Sequence, residues 1–229
     1  MAGTAYAVGV GPGDPELLTQ KAVRLIRESC VIAFPGRKAE DSAAYRIAEA
    51  AVPEIIEKEL VPVQMPMTRD VSALAEAHRK GAETLERYLG QGRDVVWLSL
   101  GDPAVYCSFS YIKSILEQDG YETVLIPGVT SFCAAAAELG TTLAEGEEPV
   151  HIFPAVHSGE DALDQPGTYV LMKSGSRMSG VKELLIKSGR DVQAVENCGM
   201  EGEKTYRSAE EIPDDAGYFT LIVAKEKRD

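Results

Sequence analysis

The chain has 229 residues, 45% of them hydrophobic and 26% charged, with a formal net charge of -13. This length and composition suit one large soluble domain or two small ones. The acidity, with no run of Lys and Arg to offset it, argues against nucleic acid and anionic membranes as partners. The opening MAGTAYAV lacks the basic start and long apolar core of a signal peptide, and no apolar stretch is long enough to span a bilayer. Cys30, Cys107, Cys133 and Cys198 are scattered without a CxxC pair, so reduced thiols in a cytoplasmic protein are expected. His78, His151 and His157 fall in no metal-ligating spacing; no protein-bound metal is expected, and His151 and His157 read as ordinary loop residues.

In chain order, residues 5–10 read as a buried strand. A glycine loop and a helix follow, with Leu18, Ala22, Leu25 and Ile26 at helical spacing. Asp14 is placed to cap that helix, with Pro15 at its first position and Glu16 in its first turn. The strand CVIAFPG completes a strand–helix–strand unit, which implies a parallel sheet. A helix over 42–51, a polar stretch over 54–64 with one short strand, and a long amphipathic helix over 70–90 come next. The strand DVVWLSLGDP, a helix near 105–119, the strand YETVLIPG and the small-residue helix VTSFCAAAAELG follow. From about 150, PVHIFPA, GTYVLMKSG, DVQAVENCG and GYFTLIVAKEK read as short strands around one helix near 178–188. The last strand is expected to alternate between buried and exposed faces, and this half to form a mixed sheet with antiparallel pairs. The reading is an α/β protein of two α/β domains, residues 1–126 with a mostly parallel sheet and residues 127–229 with a mixed sheet. The acidic, turn-rich LAEGEEP lies close to that boundary.

The loop GVGPGDP poses a chemical question. A dinucleotide fingerprint needs a glycine where Asp14 stands, and a phosphate loop needs a following lysine. Asp14 and Glu16 would already occupy the positive end of the helix. A second strand also ends in Gly-Asp-Pro, at residues 101–103. In a parallel sheet both turns lie at the carboxyl edge, where open α/β sheets bind ligands. Clustered carboxylates repel phosphate and suit hydroxyls, amines or a cation. S-adenosyl-L-methionine, with a sulfonium, an ammonium and a ribose but no phosphate, fits. Two helix-capping aspartates explain the same pattern.

Four motifs in order, GVGPGDPELLTQKAVRLIRESCVI, LGDPAVYCSFSYI, IPGVTSFCAAAA and YVLMKSG, resemble the tetrapyrrole methylases of cobalamin and sirohaem synthesis. The resemblance covers nearly the whole chain. It implies two α/β domains, a homodimer, and S-adenosyl-L-methionine held in a cleft between the domains, with S-adenosyl-L-homocysteine as product. The segment PGVTSFCAAAAELGTTLAEGEEPVHIFPA is similar to members that methylate C-20 of precorrin-2 or of its cobalt complex. Carried over, Pro12, Gly101, Asp102 and Val105 lie at the cofactor, Thr130 and Ser131 follow the Pro-Gly turn, and Met172 packs near the adenine. Gly199 and Thr220 close the site.

A polycarboxylate substrate also needs local positive charge in so acidic a protein. Arg37 and Lys38 after the second strand, and Lys173 and Arg177 beside Met172, are the expected substrate contacts. Asp102 and Glu145 are candidate bases and Tyr106 a candidate orienting group, with none assigned. Three alternatives stand beside this reading: another ring-carbon methyltransferase such as one acting on uroporphyrinogen III, a macromolecule methyltransferase on the same fold, and a non-catalytic nucleotide-binding module. Read from the residues alone, simpler roles stand beside these: Met172 as core, and Thr130 and Ser131 as caps of the alanine helix.

Overall fold

A computed structural model describes residues 1–68, 70–154 and 163–227. The chain divides into two compact units, Met1–Thr130 and Ser131–Asp229. In the first unit, β1 (Thr4–Gly9), β2 (Val31–Pro35), β3 (Glu59–Val63), β4 (Val95–Ser99) and β5 (Glu122–Ile126) form one sheet in the order β3-β2-β4-β1-β5. All its pairings are parallel. Parallel sheets need cover on both faces, and the central strands β2 and β4 are accordingly buried almost throughout, while the edge strands β3 and β5 begin with Glu59 and Glu122 and are only partly buried. Ala5, Ala7, Ala33, Val95 and Trp97 face α3 (Val71–Leu89) and α4 (Phe109–Gln118), against Leu85, Phe109, Ile112 and Leu116. Trp97 is wholly buried, its ring 5.7 Å from that of Phe109. The alanines opposite leave room for that indole, so side-chain size alternates across the layer. α1 (Gln20–Glu28) and α2 (Ala43–Ala51) complete this unit's helices.

The first helix starts later than its sequence implies. Asp14 accepts the Glu16 N–H at 2.8 Å, but what it caps is a single 3-10 turn, Pro15–Leu17. Leu18 is extended, and α1 begins at Gln20 with Thr19 as its own cap, accepting the Ala22 N–H at 3.1 Å. Ser or Thr before a helix competes well with Asp for the cap, and here it takes the longer helix.

In the second unit, β6 (Val150–Pro154), β7 (Thr168–Met172), β8 (Asp191–Glu196), β9 (Lys204–Tyr206) and β10 (Thr220–Lys225) run in the order β6-β7-β10-β8-β9. β6 and β7 are parallel; the other pairs are antiparallel. α6 (Met178–Ser188) packs Met178, Val181 and Leu185 on one face, against Tyr169, Leu171, Ala194 and Ile222. α5 (Ser131–Leu139) packs Ala135 and Leu139 on the other, against Val170, Val195, Leu221 and Val223. The last strand therefore does not alternate in burial. β10 is central, and Thr220 through Ala224 are all buried because helices cover both faces. Three-residue β9 carries no strand signal long enough to read, and sequence inspection passes over it.

His151 lies in β6, stacked 4.6 Å from Tyr169, with Nε2 2.9 Å from the Pro166 carbonyl oxygen. Arg190 covers the same phenol ring at 4.5 Å and donates to the carbonyls of Leu163, Gln165 and Gly167. These groups staple β7 to the preceding segment. His157 lies outside the described residues. Among the described residues, no helix is long and apolar enough to cross a membrane, and no group of three or more potential metal ligands occurs.

The cysteines differ sharply in environment. Cys30 and Cys133 are exposed; Cys198 is buried. Burial, then the nearby Glu203 and Glu138 carboxylates, push the Cys198 thiol up to about 11. The thiolate is the reactive form. Iodoacetamide at pH 8 should therefore alkylate Cys30 and Cys133 in the folded chain and leave Cys198 unmodified until denaturant is added, as peptide mass mapping will report.

Candidate functional site

The order β3-β2-β4-β1-β5 places β1 beside β4 while sending their chains opposite ways. From β1 the chain crosses toward β2; from β4 it crosses toward β5. Adjacent parallel strands whose connections diverge open a crevice at their carboxyl ends, the usual ligand position in such sheets. The two Gly-Asp-Pro turns meet there. The Val10 N–H donates to the Ser99 carbonyl at 2.9 Å. Gly11 and Gly101 then exchange backbone hydrogen bonds of 3.3 and 2.8 Å in an isolated antiparallel bridge. Both are left-handed, with φ of +75° and +70°, a conformation that penalises any side chain.

Two further glycines are required by space. A Cβ on Gly9 would lie 2.6 Å from the Gly101 carbonyl oxygen and 2.7 Å from the Gly128 nitrogen. A Cβ on Gly128 would overlap that same Gly101 oxygen. The ends of β1 and β4 and the Pro-Gly turn after β5 thus touch backbone to backbone. Asp102 fastens them. Its Oδ1 accepts the Ala104 N–H at 2.7 Å and its Oδ2 accepts the Gly128 N–H at 3.0 Å. Asp14 holds only its own turn, so the two acids are not equivalent. Pro12 is buried beside this turn, and the Val105 N–H donates to the Asp102 carbonyl at 3.2 Å. Cys107, given no role by the sequence, ties the loop down: its sulfur lies 3.2 Å from Ser99 Oγ and accepts the Phe109 N–H at 3.4 Å.

Thr130 follows this turn, with Ser131 opening α5. Thr130 Oγ1 is buried without a hydrogen-bond partner among the described residues. A capping hydroxyl would accept an N–H, so Thr130 is not a cap. A buried orphan hydroxyl costs about 1–3 kcal/mol and is the kind of group a ligand satisfies. Arg37 and Lys38 separate in space. Arg37 lines an open groove beside the end of β3, whereas the Lys38 ammonium lies 3.9 Å from Asp41 Oδ1.

The second unit gathers its candidates on one edge of its own sheet. Met172 ends β7, Asn197 follows β8, and Thr220 starts β10 opposite Glu196. Lys173 and Asn197 are left-handed, at φ of +58° and +55°, as is Tyr106 at +48° in the first unit. Strain at non-glycine residues persists where surrounding contacts enforce it, and it concentrates at functional loops. Met172 is half-buried and packs on the core with Val170 and Leu139, so its side chain has a core role. Thr220 is buried and its hydroxyl donates to the Gly217 carbonyl at 2.8 Å, leaving its backbone as the polar group of interest. Gly199 is exposed, with φ of +70°. Arg177 is exposed in a short 3-10 turn, and Glu145 Oε1 accepts the Thr142 hydroxyl at 2.9 Å.

Two further residues here were not singled out by the sequence, although Ser174 falls within YVLMKSG. Ser174, wholly buried, has an orphan hydroxyl among the described residues. Glu196 accepts the Gly217 N–H at 2.7 Å and the Tyr206 hydroxyl at 3.0 Å, fixing the turn that presents Tyr218 and Phe219. The partners of Glu196 and the lack of any for Ser174 Oγ among the described residues single them out.

Burial, then Glu196, push the Tyr206 phenol from 10.0 up to about 12. The folded chain then holds that proton more tightly than the unfolded chain. The associated stability is complete below about pH 10 and is lost as pH rises toward 12. Urea midpoints measured from pH 9 to 12 should fall more steeply for the native chain than for Tyr206→Phe. Gly128→Ala should destabilise the fold by about 3 kcal/mol through overpacking, seen as a lower denaturant midpoint.

The comparisons with known proteins agree on one family. The model for tetrapyrrole (corrin/porphyrin) methylases matches residues 4–213. The cobalamin biosynthesis protein CobIJ of Mycobacterium tuberculosis is 34% identical over 232 residues, covering 96% of this chain and 46% of that protein, so the chain spans less than half of that relative's length. The precorrin-2 C(20)-methyltransferase of Sinorhizobium sp is 28% identical over 235 residues, covering 96% of this chain and 94% of that protein. A uroporphyrin-III C-methyl transferase from Thermus thermophilus, solved in complex with S-adenosyl homocysteine, superposes with a TM-score of 0.71 at 25% identity, over 98% of each chain. The chain belongs to the tetrapyrrole (corrin/porphyrin) methylases.

Proposed function

We propose that the chain transfers a methyl group from S-adenosyl-L-methionine to carbon 20 of precorrin-2 or of its cobalt complex, as a cytoplasmic homodimer, releasing S-adenosyl-L-homocysteine. The observation that carries the cofactor part is the acid-pinned glycine edge at the ends of β1 and β4. Asp14 already occupies the N-terminus of the turn after β1, and Asp102 is held in place beside it, so two carboxylates stand at this edge. A phosphate-free cation suits it; a nucleotide phosphate does not. The buried, unpartnered Thr130 hydroxyl beside it supplies a polar group for such a ligand. The near full-length likeness to a precorrin-2 C(20)-methyltransferase supports the choice of carbon.

In this reading Pro12, Gly101, Asp102, Val105, Thr130 and Ser131 of the first unit, and Met172, Gly199 and Thr220 of the second, contact the cofactor. Arg37, Lys38, Lys173 and Arg177 serve the substrate. Bound there, S-adenosyl-L-methionine supplies a methyl group already activated by the positive charge on sulfur. The chain's own task is orientation, worth about 7–11 kcal/mol when two reactants are held in line. Gly101 and Gly11, locked by their mutual hydrogen bonds, keep the loop backbone fixed while the reaction proceeds. Asp102 acts by holding loops, since both its oxygens already accept backbone N–H groups. Glu145 likewise accepts a local hydroxyl, and no base is assigned to either.

Two measurements test this. Labelled S-adenosyl-L-methionine should deliver one methyl group to precorrin-2 or its cobalt complex, located at carbon 20 by mass spectrometry and NMR; transfer only to uroporphyrinogen III would replace this reading with that one. Asp102→Asn keeps one acceptor oxygen of two and loses one clamp hydrogen bond, so cofactor affinity in calorimetry should fall about tenfold. Asp14→Asn, which retains its capping oxygen, should change it by less than about twofold. Equal losses would remove the distinction drawn between the two acids.

A further inference from the structure

An open groove of about 740 Å³ lies entirely within the first unit. One wall is the end of edge strand β3 and the segment after it, with Gln64, Met65 and Met67. The other is α3, with Ala73, Ala77 and Lys80. Arg37 stands at its end. Ala73, Ala77 and Gly81 recur every four residues, so one stripe of α3 faces the groove with almost no side chain. That stripe makes a flat apolar floor. Met67 is 87% exposed, and thioethers of this kind adapt to whatever apolar shape they meet.

The polar groups of the groove are arranged for an anion. Arg24, Arg27, Arg79 and Arg93 of the same unit each hold a carboxylate. Arg37, Arg46 and Arg87 hold none among the described residues, and of these three only Arg37, which is exposed, lines the groove. Lys80 pairs with Glu76 at 2.6 Å, and both line the groove, so Arg37 leaves it with a surplus of one positive charge in a chain of net charge -13. A guanidinium grips a carboxylate in two parallel hydrogen bonds. The volume lies within the range of small-molecule sites. A flat apolar floor, adaptable thioethers and one uncommitted guanidinium match a flat ring system bearing carboxylate side chains.

We infer that this groove seats a carboxylate-bearing edge of the macrocycle, with Arg37 holding a side-chain carboxylate and the Ala73–Ala77 stripe lying against the ring. This rests on the reading of the substrate as a tetrapyrrole. It separates Arg37, which lines the groove, from Lys38, which does not line it and pairs with Asp41.

The test uses uroporphyrin, a stable fluorescent porphyrin with eight carboxylates, titrated into the full chain without cofactor. Arg37→Glu should weaken binding about tenfold or more, the effect of losing one charge-assisted contact. Ala77→Trp, which fills the floor, should weaken it comparably. Lys187→Glu, on α6 and equal in charge change, should bind like the native chain. A porphyrin with two carboxylates should bind the native chain more weakly and lose less on Arg37→Glu. S-adenosyl-L-methionine binding in calorimetry should be unchanged in all variants. Native affinity in Arg37→Glu overturns the inference, and so does absence of uroporphyrin binding to the native chain. If Ala77→Trp fails a thermal-melting check of its fold, Arg37→Glu alone decides. Uroporphyrin binding that depends on Arg37, without methyl transfer at carbon 20, would sink the proposed reaction and leave the groove assignment standing.

Discussion

Three strand ends in the first unit approach so closely that no side chain fits between them. Gly9, Gly101 and Gly128 meet backbone to backbone, and one carboxylate, that of Asp102, bonds across 26 residues to hold the meeting. The rest of the unit follows from that constraint. Further back in the same sheet, Ala7 and Ala33 stand on either side of Trp97 in register and leave room for its indole. The diverging connections of β1 and β4 then leave the fastened loops at the carboxyl edge with nothing folded over them from their own helices. Rigidity at this edge comes from backbone packing, with the side chains of Asp102, Ser99 and Cys107 tying the loop down.

The second unit reaches a similar result by other means. Its edge is held by Glu196, which bonds Gly217 and Tyr206 at once, and by left-handed Lys173 and Asn197. Here strain is accepted at residues that carry side chains, so those side chains are aimed as well as the backbone. An Asn tolerates the left-handed region better than most residues; a Lys does not, and its presence there signals that the direction of the chain after β7 is imposed by packing.

Much of this was legible in the sequence. Apolar runs ending in Gly-Asp-Pro marked strands β1 and β4 and the edge they share, and each of the six α-helices among the described residues falls where a helix was expected, from helical spacing for α1 to small-residue composition for α5. Fold class and family followed from motif order. What was not legible depends on partners distant in the chain. Asp102 reads as a cap until Gly128 is seen beside it. Thr19 and Asp14 are both good caps, and only the extended Leu18 decides which starts α1. The burial of β10 comes from its central place in the sheet, which its charged end obscures. Glu196 sits in no motif, Ser174 is passed over within YVLMKSG, and the separation of Arg37 from Lys38 turns on where one turn of backbone points.

β10 has one further consequence, for synthesis. It lies between β7 and β8 yet follows both in the chain, by about fifty and about thirty residues. As the chain emerges, β7 and β8 must wait with their inner edges bare until β10 arrives to join them. Bare apolar edges are templates for the wrong partner. The first unit, complete before any of this begins, can fold at once. The interval between the appearance of β7 and that of β10 is therefore when this chain is most exposed to aggregation, and the stretch from Thr220 to Lys225 closes it by filling the one gap left at the centre of the sheet.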